Sequence, residues 1–222
     1  MKTVAIIVAG GQGKRMGKPK QFLKIVGRPM LEWALSAFQK AKVIDGIILV
    51  VEESELSKSK HFHYSKLLKV VAGGKERQDS VKNGLKELPA TTAIVVIHDG
   101  ARPAVTPFLI EQSVKAARKY GAAIIGVPAK DTIKEINNSM FIKRTVDRSK
   151  LWQAQTPQTF RASIIRKAYT KIRGKITDDA MPVEKLNIPV KMIMGSYENL
   201  KMTTPEDLKI MEAILTSRKE RR

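Results

Sequence analysis

No cysteine occurs among the 222 residues of this chain, which excludes disulfides, zinc-thiolate sites and thiol nucleophiles. Aromatic residues make up only 5%, so no stacking platform for single-stranded nucleic acid is evident. No apolar run approaches the ~20 residues that cross a bilayer, and a membrane partner is not expected. Acidic side chains are scarce beside basic ones, 21 Asp+Glu against 41 Lys+Arg, for a formal net charge of +20. That balance favours anionic partners through long-range steering, without choosing between nucleic acid and phosphorylated metabolites. The bases are scattered, the one dense run being Arg218-Lys219-Glu220-Arg221-Arg222. There is no internal repeat and no low-complexity linker. The sequence opens on a core-strand pattern rather than a signal peptide, which makes cytoplasm the expected location. Its length suits one domain over residues 1–222, with room for a small excursion.

What is present begins with the apolar run Val4-Ala5-Ile6-Ile7-Val8, followed at once by Ala9-Gly10-Gly11-Gln12-Gly13-Lys14-Arg15-Met16-Gly17-Lys18-Pro19-Lys20-Gln21. A buried strand running into glycines lets backbone N–H groups approach an anion closely, because no Cβ shields them. Arg15 and Lys20 add charge that backbone dipoles cannot supply, and the segment reads as a triphosphate clamp. Two familiar phosphate loops do not fit. Arg15 follows Lys14 where a Walker-type loop needs a hydroxyl. Gly11, Gly13 and Gly17 lack the Gly-x-Gly-x-x-Gly spacing of a dinucleotide site, and Pro19 interrupts any helix there.

Further apolar, β-rich runs at Ile47–Val51, Leu68–Val71, Ala93–Ile97 and Ala122–Val127 alternate with amphipathic segments at Met30–Ala41, Gln78–Leu88 and Pro107–Tyr120. Alternation of this kind predicts βαβ units: an α/β fold of three α/β/α layers on a mostly parallel, Rossmann-like sheet. Thr106-Pro107 and Thr204-Pro205 each place an N-cap hydroxyl before a proline at the first helical position. After Val127 the rhythm changes. Asp131–Ile136, the turn Asn137-Asn138-Ser139 and Met140–Thr145 predict a β-hairpin arm, an excursion over about 131–148. A two-stranded ribbon is marginal alone, so the arm is expected to pack on a second copy of the chain, as a homodimer. Helices at Ala162–Lys171 and Asp178–Leu186, a strand at Val190–Met194 and a helix at Pro205–Thr216 complete the expectation.

Ligands of such sheets bind beyond the carboxyl ends of the strands. Besides the glycine loop, His98-Asp99-Gly100-Ala101-Arg102-Pro103 follows one strand and Ala72-Gly73-Gly74-Lys75-Glu76-Arg77-Gln78-Asp79-Ser80 follows another. Asp99 is placed to orient a hydroxyl or a metal, and Arg102 to grip phosphate. A lone His98 beside a strand end reads as structural. The amides after Gly73 and the Ser80 hydroxyl are placed to read a base or ribose. Thr145-Val146-Asp147-Arg148, Thr156-Pro157-Gln158, Ile176-Thr177-Asp178-Asp179 and Asn199-Leu200-Lys201 supply further polar groups.

Taken in order, these segments resemble the 2-C-methyl-D-erythritol 4-phosphate cytidylyltransferases of the non-mevalonate isoprenoid pathway, over nearly the whole chain. The resemblance implies a nucleotidyltransferase that joins CTP to a phosphorylated polyol, with Mg²⁺ held mainly by the CTP phosphates and Asp99 its possible protein ligand. It implies catalytic roles for Arg15, Lys20, Arg148 and Lys201. It places CTP on Ala9, Gly10, Gly11, Gly13, Gly74, Lys75 and Ser80, and the acceptor on Asp99, Arg102, Thr132, Thr156 and Thr177. The arm would reach across a dimer, so that Arg148 and Thr156 serve the partner's site. Ribitol 5-phosphate or another polyol phosphate is an alternative acceptor. A basic nucleic-acid-binding protein without catalysis is the remote one, because binding alone does not need Arg15, Lys20 and Lys201 in this order.

Overall fold

In the computed structural model, which describes residues 2–10, 23–59 and 61–220, the two strings without polar alternation lie at the heart of the sheet. These are β1 (Lys2–Ala9) and β4 (Gly46–Val51), the latter buried at every residue. Strands covered on both faces have no use for alternation. In chain order the short β2 (Lys24–Ile25) and β3 (Arg28–Pro29) follow β1 and lead into α1 (Met30–Lys40). After β4 come α2 (Leu56–Ser59), β5 (Leu67–Ala72), α3 (Arg77–Lys86), β6 (Thr92–Asp99), α4 (Pro107–Tyr120) and β7 (Ala122–Pro128). Next are β8 (Ile133–Ile136), β9 (Ile142–Val146), β10 (Trp152–Arg161), α5 (Ala162–Thr170), α6 (Met181–Glu184), β11 (Lys191–Met194) and α7 (Glu206–Glu220).

A seven-stranded sheet runs in the order β11-β7-β10-β6-β1-β4-β5. β1 pairs in parallel with β4 and β6, β4 with β5, and β7 with β11, while β10 runs antiparallel between β6 and β7. Alternate strand residues feed two cores. Val4, Ile6, Ile48, Val50, Val95 and Ile97 pack with Val81, Leu85, Ile165 and Val183 of α3, α5 and α6. Ala5, Ile7, Ile47, Leu49 and Val96 pack on the other face with Leu31, Leu35 and Phe38 of α1 and Ile110 and Val114 of α4. The three expected layers are therefore present. Thr106 caps α4, its hydroxyl accepting from Leu109 N–H at 3.3 Å, and Asp207 accepts from Thr204 N–H at 2.8 Å at the start of α7.

Two expectations need correction. Of the helix expected over Asp178–Leu186, only Met181–Glu184 is helical, because Asp178 is spent as a cap, its Oδ1 accepting from Met181 N–H at 3.0 Å. The segment Trp152–Arg161, for which no strand was expected, is β10. Its Gln155, Thr156, Gln158 and Thr159 are polar yet buried, and each is hydrogen-bonded inside the sheet or its loops. Tertiary hydrogen bonds here override a composition that propensity assigns to loops. The arm forms as a separate two-stranded sheet, with Ile133 opposite Val146 and Glu135 opposite Arg144. It leaves Met140, Phe141 and Ile142 largely exposed.

Candidate active site

The carboxyl ends of β1, β5 and β6 converge on one rim of the sheet. Gly10, just after β1, lies close against the Gly73-Gly74 turn after β5: a Cβ on Gly10 would lie 3.5 Å from the Gly73 Cα and 3.4 Å from the Ser80 Oγ. A Cβ on Gly74 would fall 2.3 Å from that of Asp79, so only glycine fits there. The turn is fixed from both sides. Ser80 Oγ accepts from Gly74 N–H at 3.0 Å, and Glu76 and Asp79 form a reciprocal capping box at the start of α3. Backbone free of Cβ atoms along this rim lets a flat base or a phosphate approach closely.

Beside it lies a chain of ion pairs. Asp99, the last residue of β6, is 6% exposed. Its Oδ1 accepts from Arg77 Nε at 2.7 Å, and its Oδ2 lies 2.6 Å from Lys201 Nζ. Arg77 turns its other two nitrogens on Asp179, donating to Oδ1 at 3.0 Å and Oδ2 at 2.7 Å. Asp179 is fully buried and also accepts from the Tyr169 hydroxyl. Burial alone would raise the Asp99 carboxyl, but the charges of Arg77 and Lys201 and their hydrogen bonds hold it far below the usual carboxylate range. Burial works against the Arg77 cation too, and its two carboxylates outweigh it. Asp99 is thus ionised, with one structural and one half-exposed cation.

Below this pair a directed hydrogen-bond chain sets the strand end. Asp99 N–H donates to Thr156 Oγ1 at 3.1 Å, and that hydroxyl meets His98 Nδ1 at 3.0 Å. His98 Nε2 lies 3.2 Å from the Arg102 carbonyl, which only accepts, so the proton is assigned to Nε2 and Nδ1 accepts from the threonine. Burial pushes His98 down to about 3, in keeping with a neutral ring. Arg102 donates to the carbonyls of Asn199 at 2.7 Å and Ala154 at 3.4 Å, and its Nε has no hydrogen-bond partner among the described residues. Asn199 Nδ2 returns a bond to the Thr156 carbonyl at 2.9 Å, tying the turn before Lys201 to β10.

A family model described as 2-C-methyl-D-erythritol 4-phosphate cytidylyltransferase matches residues 3–217. A protein of that name from Dehalococcoides mccartyi is 47% identical over 219 residues, 96% of either chain. One from Geobacillus kaustophilus is 47% identical over 227 residues, 98% of this chain and 99% of the relative. The chain belongs to this family. Among solved structures, the 4-diphosphocytidyl-2C-methyl-D-erythritol synthase of Anaerococcus prevotii superposes with a TM-score of 0.87 at 33% identity, covering 97% of this chain and 96% of its own.

As a cytidylyltransferase of this family, the chain brings some of the expected residues together. Gly10, Gly74 and Ser80 meet at one turn, the Ser80 hydroxyl spent on the Gly74 N–H and the Glu76 carbonyl, and Asp99 and Lys201 meet in one ion pair. Ala9 is buried at the end of β1, and Lys75 is exposed on the rim. Thr156 and Arg102 lie close by, with hydroxyl and guanidinium engaged within the chain. Thr132, Arg148 and Thr177 are exposed at the arm and beyond it, and the ion pairs of Asp99 among the described residues are with Arg77 and Lys201 instead. Gly11, Gly13, Arg15 and Lys20 lie outside the described residues. Sequence reasoning missed Arg77 as a partner of Asp99 and Asp179 as the anchor of Arg77. The available signal was an arginine just after a Gly-Gly turn, with an Asp-Asp pair left unused.

Proposed function

We propose that this chain transfers the cytidylyl group of CTP to 2-C-methyl-D-erythritol 4-phosphate, giving 4-diphosphocytidyl-2-C-methyl-D-erythritol and pyrophosphate for isoprenoid precursor synthesis. The observation that carries the proposal is the family match over residues 3–217. A phosphate oxygen of the acceptor attacks the α-phosphorus of CTP. The new P–O bond forms as the bond from that phosphorus to the oxygen bridging the α- and β-phosphates breaks, and pyrophosphate leaves with the electron pair. Charge accumulates on the five-coordinate phosphorus, so the protein contributes positioning and electrostatic stabilisation.

The backbone rim at Gly10 and Gly74 takes the nucleotide, with Lys75 beside it. Lys201 reaches the acceptor phosphate by leaving Asp99 Oδ2, and Asp99 then accepts from an acceptor hydroxyl. Arg15 and Lys20 neutralise the triphosphate, and Arg148 joins Lys201 on the acceptor. Both Asp99 oxygens face cations, and the described residues include no group of three potential metal ligands. In this reading magnesium enters on the phosphates of CTP, as part of the substrate. The exposed Met140, Phe141 and Ile142 of the arm support a homodimer in which Arg148 serves the neighbouring site. No helix among the described residues is long and apolar enough to cross a membrane; a reaction between two water-soluble phosphorylated substrates supports a cytoplasmic location.

Pyrophosphate release with CTP and Mg²⁺ tests this, with 2-C-methyl-D-erythritol 4-phosphate and ribitol 5-phosphate offered separately. Release with the first is expected. Release with ribitol 5-phosphate alone would keep the chemistry and replace the acceptor, and release with neither would overturn the proposal.

A further inference from the structure

Arg77 stands between the two halves of the site. It opens α3, immediately after the turn in which Ser80 holds Gly74, and all three of its guanidinium nitrogens are spent on two carboxylates. Two of those bonds anchor it to the fully buried Asp179, whose own N–H donates to Gln158 Oε1 at 2.9 Å. The third carries the anchored charge to Asp99 Oδ1, on the far side of which Lys201 waits at Oδ2. A lysine has one compact charge and could not serve both carboxylates through a planar fork.

We infer that Arg77 is a positioning residue for the acceptor: it fixes and neutralises Asp99, so that Lys201 can leave Asp99 for the incoming phosphate. The inference rests on the cytidylyl-transfer reading above. When Lys201 departs, Asp99 would be left as a bare carboxylate beside a phosphate, and like charges at that range repel strongly in a partly desolvated site. With Arg77 retained on Oδ1 the carboxylate stays compensated throughout. Without it, Lys201 is the one cation among the described residues still bonded to Asp99, and acceptor and carboxylate compete for its ammonium.

The test variant is Arg77→Gln combined with Asp179→Asn, which leaves no unpaired charge in the buried Asp179 pocket and so preserves folding. Its KM for 2-C-methyl-D-erythritol 4-phosphate should rise by about tenfold or more, the scale of one charge-assisted contact, while the KM for CTP changes by less than about twofold. Asp99→Asn supplies a readout that mere damage to the fold would not give. In the otherwise native chain it removes the anchor of Lys201, and kcat/KM for the acceptor should fall. In the Arg77→Gln/Asp179→Asn background it removes the uncompensated charge, and kcat/KM should rise. An unchanged acceptor KM in the double variant, or a fall in both backgrounds, would overturn the inference while the native enzyme still turns over. Absence of native turnover would instead overturn the functional reading and the inference with it.

Discussion

Arg77 and Arg144 each hold a carboxylate oxygen at 2.7 Å, the first on Asp99 and Asp179, the second on Glu135 across the arm. The distances agree and the surroundings do not. Asp179 is wholly shielded, whereas the Arg144 and Glu135 side chains keep 71% and 41% of their surface in water. Solvent screens the arm pair and competes for both partners, so its two ions are nearly as well off apart. In the interior, either ion of the Arg77 cluster would be stranded without the other. Bond length alone therefore says little about which pair the fold depends on.

The sharpest way to break this comparison is to delete one carboxylate from each region. Asp179→Ala leaves Arg77 partly buried with half its partners gone and should destabilise the chain by about 3–5 kcal/mol in denaturant unfolding. Glu135→Ala should change the same measurement by no more than about 1 kcal/mol. Similar losses from the two would show that burial is not what separates them.

Lys201 belongs to both descriptions, since it touches the buried Asp99 yet keeps 37% of its side chain exposed. Lys201→Met leaves Asp99 with Arg77, so stability should fall little. Turnover should drop by about 10²-fold if the ammonium stabilises charge on the reacting phosphates. Steady-state kinetics beside a thermal melt checks this, and a large melting shift with modest kinetic loss would move Lys201 to the structural side.

The pH dependence of stability sharpens the contrast next. His98 titrates near 3 in the fold against an ordinary value of 6.5. Between those values the unfolded chain binds the extra proton, so stability falls as pH drops through that window, by up to about 1.4 kcal/mol per pH unit. Asp99, held low in the fold, contributes with the same sign, but only as pH falls below its ordinary 3.8. His98→Asn should flatten the slope between pH 6 and 4.5, read from unfolding midpoints in steps across that range. A variant with the parent's slope would remove His98 as its cause.

How much of this was legible in the sequence follows the range of the interactions. Strands β1, β4 and β6 were readable because an unbroken aliphatic run is a local signal of two-sided burial, and the cap at Thr106 is equally local. The glycine turn and Asp99 were readable as strand ends followed by chemistry. Strand β10 was not, because Gln155, Pro157 and Gln158 look like loop residues until their partners in other segments are known. The Arg77 cluster was hidden for the same reason. Its carboxylates lie 22 and 102 residues away in sequence, and the one local mark on Arg77, its place just after the Gly-Gly turn, names neither of them.

The smallest expected effect lies in the arm, and it depends on concentration. Met140 and Phe141 are 75% and 72% exposed, and the β8–β9 ribbon is too small to be stable by its own burial. If a second copy covers these residues, the Glu135–Arg144 pair loses water on association and moves toward the buried case. Glu135→Ala should then be nearly silent at low nanomolar chain concentration and cost progressively more at micromolar concentration, where mass action couples dimerisation to folding. Phe141→Asp should abolish that concentration dependence and give a monomer by light scattering at micromolar concentration. A Phe141→Asp chain that remains dimeric would place the interface elsewhere and leave the arm pair an ordinary surface contact.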